Sequence, residues 1–121
     1  MGADTKKQET CEQKIDRELQ DRLNEIKFVL EQDGETIKDE NGDKYEGLVD
    51  WLNSWALAWN GYKLELCWGG PSDGFYLAKD NEGNLVDVRY YYQDWFDGAE
   101  RRLFGADFDL LERLYEACLN F

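Results

Sequence analysis

Histidine is absent from the 121-residue sequence, and serine occurs only at positions 54 and 72. Catalysis by a serine or cysteine nucleophile therefore lacks its usual histidine base. Only three cysteines are present, so a structural zinc site would also need carboxylate ligands. These absences predict a protein that is not an enzyme and that holds no metal ion and no cofactor.

Long apolar runs are also missing, because no stretch approaches the roughly 20 residues that cross a bilayer. Nothing apolar follows Lys6 and Lys7, so no secretory signal is expected at the N-terminus. The cysteines are odd in number and form no CxxC pair, which is typical of a reducing compartment. Cys67 and Cys118 are expected to be packing residues, and Cys11 to be exposed. We expect a cytoplasmic protein without membrane contacts.

Basic residues are few: 14 Lys and Arg stand against 27 Asp and Glu, which gives a net charge of −13. Direct binding to nucleic acid or to an anionic membrane is disfavoured, because both need clustered cations. A protein partner with a basic surface is favoured instead, including one that normally holds nucleic acid. Solubility alone is the alternative explanation of this charge.

The sequence does contain a clear helical pattern near its start. Five apolar residues recur every three or four positions and predict a helix from Thr10 to Gln32. Thr10 and Gln13 fit a capping box, and Gly34 follows as a stop signal. Aromatic residues are sparse before Gly47, so this first segment is expected to be a charged, mostly surface-facing appendage. The five apolar positions are Ile15, Leu19, Leu23, Ile26 and Leu30.

A polar stretch at 33–47 follows this helix. Its Asn41-Gly42 pair predicts a tight turn between strand-like pieces at 35–38 and 44–46. Apolar residues on one helical face then predict a second, largely buried helix at 48–58.

Period-two alternation begins after this second helix. It predicts strands at Tyr62–Trp68, Phe75–Lys79 and Leu85–Gln93, with loops at 69–74 and 80–84. Short links between sequential strands favour an antiparallel meander. The residues expected to face the core are Tyr62, Leu64, Leu66 and Trp68 in the first strand, and Val86, Val88, Tyr90 and Tyr92 in the third.

A short fourth strand at 99–104 and a last helix with Asp107 as its N-cap complete the predicted elements. The predicted fold class is α+β: an antiparallel three- to four-stranded meander packed with helices, in the order α-α-β-β-β-(β)-α. Residues 1–9 lack periodicity and are predicted to be disordered, and residues 10–121 to form a single α+β domain.

Three loops contain residue types that are used in ligand sites. The loop at 69–74 has neither a following helix nor a lysine, so a hairpin connection is favoured over phosphate binding. The run that starts at Asp39 begins like a calcium loop, but Lys44 stands where that loop needs glycine. Asp94 and Asp97 beside Trp95 could do acid–base work on a sugar or hold a metal ion. A buried corner, with one Asp accepting backbone N–H groups and Trp95 packed, is favoured instead.

Aromatic side chains supply a second class of candidate contact. Tyr90, Tyr91 and Tyr92 cannot all face the core, so Tyr91 is expected on the outer face of its strand, where the first helix or a partner could cover it. Tyr and Trp are frequent at protein interfaces, which makes Tyr91 and Trp95 candidate partner contacts. The same side chains could equally stack on sugars.

Two runs of sequence are distinctive: WGGPSDGF at Trp68–Phe75 and YYYQDWFDGA at Tyr90–Ala99. They resemble small uncharacterised proteins of bacterial phages and mobile elements, over roughly residues 48–104. In size, acidity and lack of catalytic residues the chain is similar in type to anti-CRISPR proteins. This resemblance implies a stoichiometric inhibitor that occupies a basic nucleic-acid channel or a subunit interface of a defence complex.

Three functions follow from these patterns. The first is a non-enzymatic acidic inhibitor of the anti-CRISPR type, whose carboxylates replace phosphates on the basic surface of a nucleic-acid-handling complex. The second is an immunity or antitoxin-like protein that neutralises a toxin. The third is a glycan- or small-ligand-binding module, or an unrecognised enzyme, that uses Tyr91, Trp95, Asp94 and Asp97. The acidic partner contacts predicted for the first are Glu18, Asp21, Glu25, Asp33, Glu35, Asp39, Glu40 and Asp43, followed by Asp50 and Asp87.

Overall fold

The first helix, α1, spans Cys11–Leu30 in the computed structural model, which describes residues 10–32 and 34–119. Its predicted capping box is present: Gln13 N–H donates to Thr10 Oγ1 at 3.2 Å, and Thr10 N–H donates to Gln13 Oε1 at 2.8 Å. Ile15 and Ile26 are fully buried, so α1 is a core element and the expectation of a surface appendage is wrong. The predicted disorder of residues 1–9 lies outside the described residues.

Strands β1 (Ile37–Lys38) and β2 (Lys44–Tyr45) pair antiparallel and form a two-stranded sheet, as the turn residues between them predict. Asp39 closes the turn, because its carboxylate accepts the backbone N–H groups of Asn41 and Asp43, both at 2.9 Å. The run that begins like a calcium loop is therefore a hairpin turn.

The second helix, α2, spans Leu48–Trp55 and ends before the predicted 58. Ala58–Trp59 instead forms a short strand, β3, that pairs with β4 (Lys63–Cys67). The Trp59 indole N–H also donates to Leu119 O at 3.0 Å. Sheet pairing and this tertiary hydrogen bond outweigh the helical spacing of the segment.

Strands β3 to β7 form a five-stranded antiparallel sheet in sequential order, which confirms the meander and adds one strand to it. β5 spans Pro71–Lys79, β6 spans Leu85–Asp94 and β7 spans Asp97–Arg102. β5 begins four residues earlier than predicted, because residues 71–74 pair with β6, and the predicted 69–74 loop is wrong for that part. β7 begins two residues earlier than predicted.

One face of the sheet forms the core against the helices. Leu64 and Leu66 face it as predicted, whereas Tyr62 and Trp68 lie outside β4 and are exposed, so the prediction is wrong for those two. A bulge at Val86 shifts the alternation of β6 at its start, because the pairing advances by two residues on β6 and by one on β5. Leu85 is therefore buried and Val86 is exposed.

The third helix, α3, spans Gly105–Leu114 and continues into a π-helical turn at Tyr115–Leu119. Phe104 is its N-cap residue and Asp107 lies in the first turn, so the predicted Asp107 cap is wrong. A carboxylate in that turn still stabilises the helix through its interaction with the helix dipole. Among the described residues, none of the helices combines the length and the apolar character of a membrane-spanning helix.

An ion pair between partly exposed Arg22 and buried Asp73 joins α1 to the sheet. Arg22 Nε and Nη2 donate to the two carboxylate oxygens of Asp73 at 2.7 and 2.8 Å, and the Tyr90 hydroxyl donates to Asp73 Oδ2 at 2.5 Å. Burial, and after it the bond to Asp73, raises the pKa of Tyr90 far above its ordinary value, so the hydroxyl remains a donor. Arg22 thus links α1 to the sheet, with 28% of its side chain exposed.

Candidate functional site

Two groups of carboxylates in this protein differ in their partners. The first group, on the sheet and at the start of α1, is paired with nearby cations. Asp87 contacts Arg89 and Arg102, and both Glu12 and Asp16 contact Arg101. These pairs join elements of the fold, so their acids are structural; Asp87, a predicted contact, is one of them.

The second group lies on the C-terminal half of α1 and on or beside the β1–β2 hairpin. Gln32 ties these two elements together, because its amide exchanges hydrogen bonds with the backbone of Lys38, including Lys38 N–H to Gln32 Oε1 at 2.8 Å. Six exposed carboxylates here form no ion pair with any described residue. We call them the acidic surface: Asp21, Glu31, Glu35, Glu40, Asp43 and Glu46.

This part of the chain holds much of the excess charge. Residues 21–50 contain ten acidic and four basic residues, which leaves −6 of the total −13. A local excess of this size produces a negative potential over the surface and attracts a basic partner at a distance.

The structure places the eight predicted acidic contacts in different environments. Asp21, Glu35, Glu40 and Asp43 belong to the acidic surface, and their contact with a partner stays a prediction. Asp39 is 7% exposed and bonded within the hairpin, so the structure gives it an internal role. The remaining three differ again: Glu18 lies 3.9 Å from Arg17, Glu25 is half-buried, and Asp33 lies outside the described residues. Sequence reasoning missed Glu31 and Glu46, whose polar surroundings were the available signal.

Glu25 lies against the acidic surface in an unfavourable setting. One of its carboxylate oxygens is buried and has no hydrogen-bond partner among the described residues. Desolvation, followed by the charges of Glu40 and Asp39, raises the pKa of Glu25 above its ordinary value. The ionised carboxylate therefore opposes folding at neutral pH, and the acids of this region are held close together at a cost in stability.

Glu25→Gln is expected to stabilise the protein at pH 7, because the amide removes the charge and keeps an acceptor for the Glu40 N–H. A raised folded-state pKa means that the native state binds the proton more tightly than the unfolded state does. The advantage of the variant should be smallest near pH 4 and should grow as pH rises through the raised pKa. Urea unfolding at pH 4 and pH 7 measures it, and a larger advantage at pH 4 would contradict this account.

The turn between β6 and β7 contradicts the buried corner expected for Trp95. Trp95 is 83% exposed and Phe96 is fully exposed. The expectation that one Asp accepts a backbone N–H is confirmed, because Cys11 N–H donates to Asp97 Oδ2 at 2.7 Å at the start of α1. Cys11 is 1% exposed, so its predicted exposure is wrong, and burial raises the pKa of its thiol.

The two distinctive runs of sequence meet at this end of the sheet. Pro71 at the start of β5 pairs with Asp94 at the end of β6, which brings the β4–β5 turn beside the β6–β7 turn. Trp68 in the first turn is 79% exposed. We call Trp68, Trp95 and Phe96 the aromatic tip. Asp94 lies 3.9 Å from Lys14 and Asp97 caps α1, so both acids already have partners in the fold.

Tyr91 lies on the outer face of the sheet, as predicted, and is only 3% exposed, so its contact with a partner stays a prediction. Its ring lies against Tyr76, with centroids 5.0 Å apart, and beneath Lys63 Nζ, 5.2 Å from the ring centroid. Gly74 is the direct pairing partner of Tyr91 and leaves room for that ring. Neighbouring side chains therefore cover Tyr91.

Within the part of the chain that the structure describes, no group of three or more Cys, Asp or Glu side chains is arranged to hold a metal ion. Comparison with protein-family models, with curated proteins and with solved structures finds no match. The acidic surface and the aromatic tip are thus the features from which a function can be argued.

Proposed function

We propose that this chain is a non-enzymatic acidic interaction protein that inhibits its partner by covering a basic, nucleic-acid-binding surface. The observation that supports the proposal is the concentration of carboxylates at the acidic surface: six there have no ion pair with a described residue, whereas Asp73 and Asp87 in the sheet are paired with arginines. The resemblance to anti-CRISPR proteins favours a defence complex of a phage host as the partner.

The mechanism is charge mimicry. Carboxylates spaced along a helix end and a hairpin present the anions that a phosphate backbone would present. Complementary charge speeds the encounter and fixes the orientation of the complex more than it adds affinity. Occupation of the basic surface then excludes nucleic acid by competition. An immunity or antitoxin-like protein would use the same physics on a toxin, and the identity of the captured partner distinguishes the two.

The test is capture of partners from cells that carry defence complexes and nucleases, with identification by mass spectrometry. Wild type is expected to retain a nucleic-acid-handling complex at low salt and to release it at about 0.5 M salt, where screening is strong. Glu35→Lys combined with Glu40→Lys and Asp43→Lys is expected to abolish capture, because these acids face solvent at the hairpin.

A matched control carries Glu82→Lys, Asp109→Lys and Glu116→Lys, three exposed acids far from the hairpin in sequence. Both triple variants change the net charge equally, so only position differs. The control should retain the complex. Equal loss in both variants, or salt-independent capture, would show that the acidic surface has no specific role.

A further inference from the structure

The turn that carries the aromatic tip has a strained backbone. Trp95 has a φ of 57° and is the one non-glycine residue with positive φ among the described residues. It is the first of two residues between the paired Asp94 and Asp97. Positive φ at this residue and not at the next is the pattern of a type II′ turn, which normally has glycine there. A bulky side chain in the left-handed region destabilises the fold by roughly 1–2 kcal/mol relative to glycine.

Packing gives no compensation for this strain. The exposed fraction of the Trp95 side chain is 83% and that of Phe96 is 105%, so both rings project into solvent. Trp68 on the neighbouring turn adds a third exposed ring at 79%. Strain that persists without a stabilising contact is characteristic of functional positions.

We propose that the aromatic tip is a second docking element, which inserts into a concave apolar pocket with a basic rim on a protein partner. It goes beyond the proposed function, because it needs no contact at the acidic surface. The start of α1 lies at the tip and its end lies at the hairpin, so about 28 Å of helix separates the two surfaces.

The shape and the charge of the aromatic tip indicate the kind of partner that it fits. A fully exposed ring on a two-residue turn is convex, whereas small ligands and sugars bind in clefts that surround them. The ion pairs and the Asp97 hydrogen bond near the tip involve four carboxylates and two cations, a net −2 that complements a basic rim and repels both an anionic membrane and a second copy. Large aromatic anchors that fill a partner pocket are the usual hot spots of interfaces. The flanking charged groups are Glu12, Asp16, Asp94 and Asp97, with Lys14 and Arg101.

Two substitutions of Trp95 separate the ring from the strain. Trp95→Gly and Trp95→Ala both remove the ring, but only glycine relieves the backbone. The glycine variant is expected to melt about 4 °C above the alanine variant. Both should lose binding to the same extent. Thermal denaturation followed by circular dichroism measures the difference in melting temperature. Equal melting temperatures would show that the backbone of Trp95 is not strained.

The binding test captures partners at 1 M NaCl, where contacts at the acidic surface are screened. Tyr62→Ser is the control, because Tyr62 is an exposed aromatic residue outside the tip. We select proteins that wild type and Tyr62→Ser retain but that Phe96→Ser loses. These proteins are identified, purified and titrated by calorimetry. Phe96→Ser and Trp95→Gly are each expected to weaken binding about 30-fold, and Trp95→Phe and Tyr62→Ser less than threefold.

The proposal is overturned if no captured protein distinguishes Phe96→Ser from wild type, or if the purified partner binds both equally. It is also overturned if Phe96 is needed for self-association in sedimentation, for binding to phosphatidylcholine vesicles or for binding to an oligosaccharide array. The lysine variant of the hairpin separates the two proposals, because it should keep binding that depends on the tip even where the acidic surface has no partner.

Discussion

Asp73→Ala is expected to lower the free energy of unfolding by about 3–5 kcal/mol, because it leaves the Arg22 guanidinium and the Tyr90 hydroxyl without their shared acceptor. Asp73 is 3% exposed, so water cannot replace the carboxylate without opening the packing between α1 and the sheet. Chemical denaturation followed by tryptophan fluorescence measures the loss.

A double substitution separates the cost of leaving Arg22 unpaired from the contribution of the ion pair itself. Arg22→Met with Asp73→Leu removes both charges and should be less destabilising than Asp73→Ala alone, because no unpaired ion remains buried. Asp87→Ala is the surface control, since it removes contacts to exposed Arg89 and Arg102 and should cost about 1 kcal/mol or less. A loss for Asp73→Ala no greater than for Asp87→Ala would contradict the role of the buried pair.

Gly74→Ala is expected to be at least as damaging, with a loss above about 3 kcal/mol or failure to fold. A Cβ atom at this position would overlap the Leu64 carbonyl oxygen and would lie 2.7 Å from Tyr91 Oη and 2.9 Å from Tyr91 Cε2. The tyrosine ring could rotate away, but the carbonyl belongs to β4, so the strands would have to separate.

Gly70→Ala provides the control for the effect of the substitution on backbone entropy. Gly70 lies in the adjacent turn, does not need positive φ, and has open space where the Cβ of an alanine would lie, with no atom within 4 Å. This variant should unfold within about 0.5 kcal/mol of wild type. If Gly74→Ala behaved in the same way, the close approach of β4, β5 and Tyr91 could not be what specifies glycine there.

The elements that the sequence predicted correctly are those that depend on residues close together in the chain. The capping box at Thr10 and the apolar spacing of α1 needed only neighbouring residues, and so did the turn at Asn41-Gly42 and the sequential meander. β3 was missed because Ala58 and Trp59 continue a helical spacing, and only their pairing with β4 overrides it. The early start of β5 was missed because Gly-Pro-Ser is typical of a loop until β6 lies beside it.

The candidate site was predictable to a similar degree. Exposure of Glu35, Glu40 and Asp43 follows from their polar surroundings, but the capture of Asp39 by the turn depends on the hairpin geometry. Tyr91 was assigned to the correct face, and its burial could not be inferred, because the cover comes from Lys63 and Tyr76 on other strands. Trp95 was expected to pack because large aromatic residues usually do.

The long-range contacts of α1 determine the order in which the chain can fold during synthesis. Cys11 bonds Asp97, 86 residues later, and Glu12 bonds Arg101, 89 residues later. At about 5–20 residues per second, the ribosome needs several seconds between making the helix and making its partners. The apolar stripe of α1 stays uncovered during that interval, while the meander can assemble from adjacent strands as each emerges. Helix α1 is thus synthesised well before the strands on which it docks, and its exposed charged residues keep the other face of the helix hydrated meanwhile.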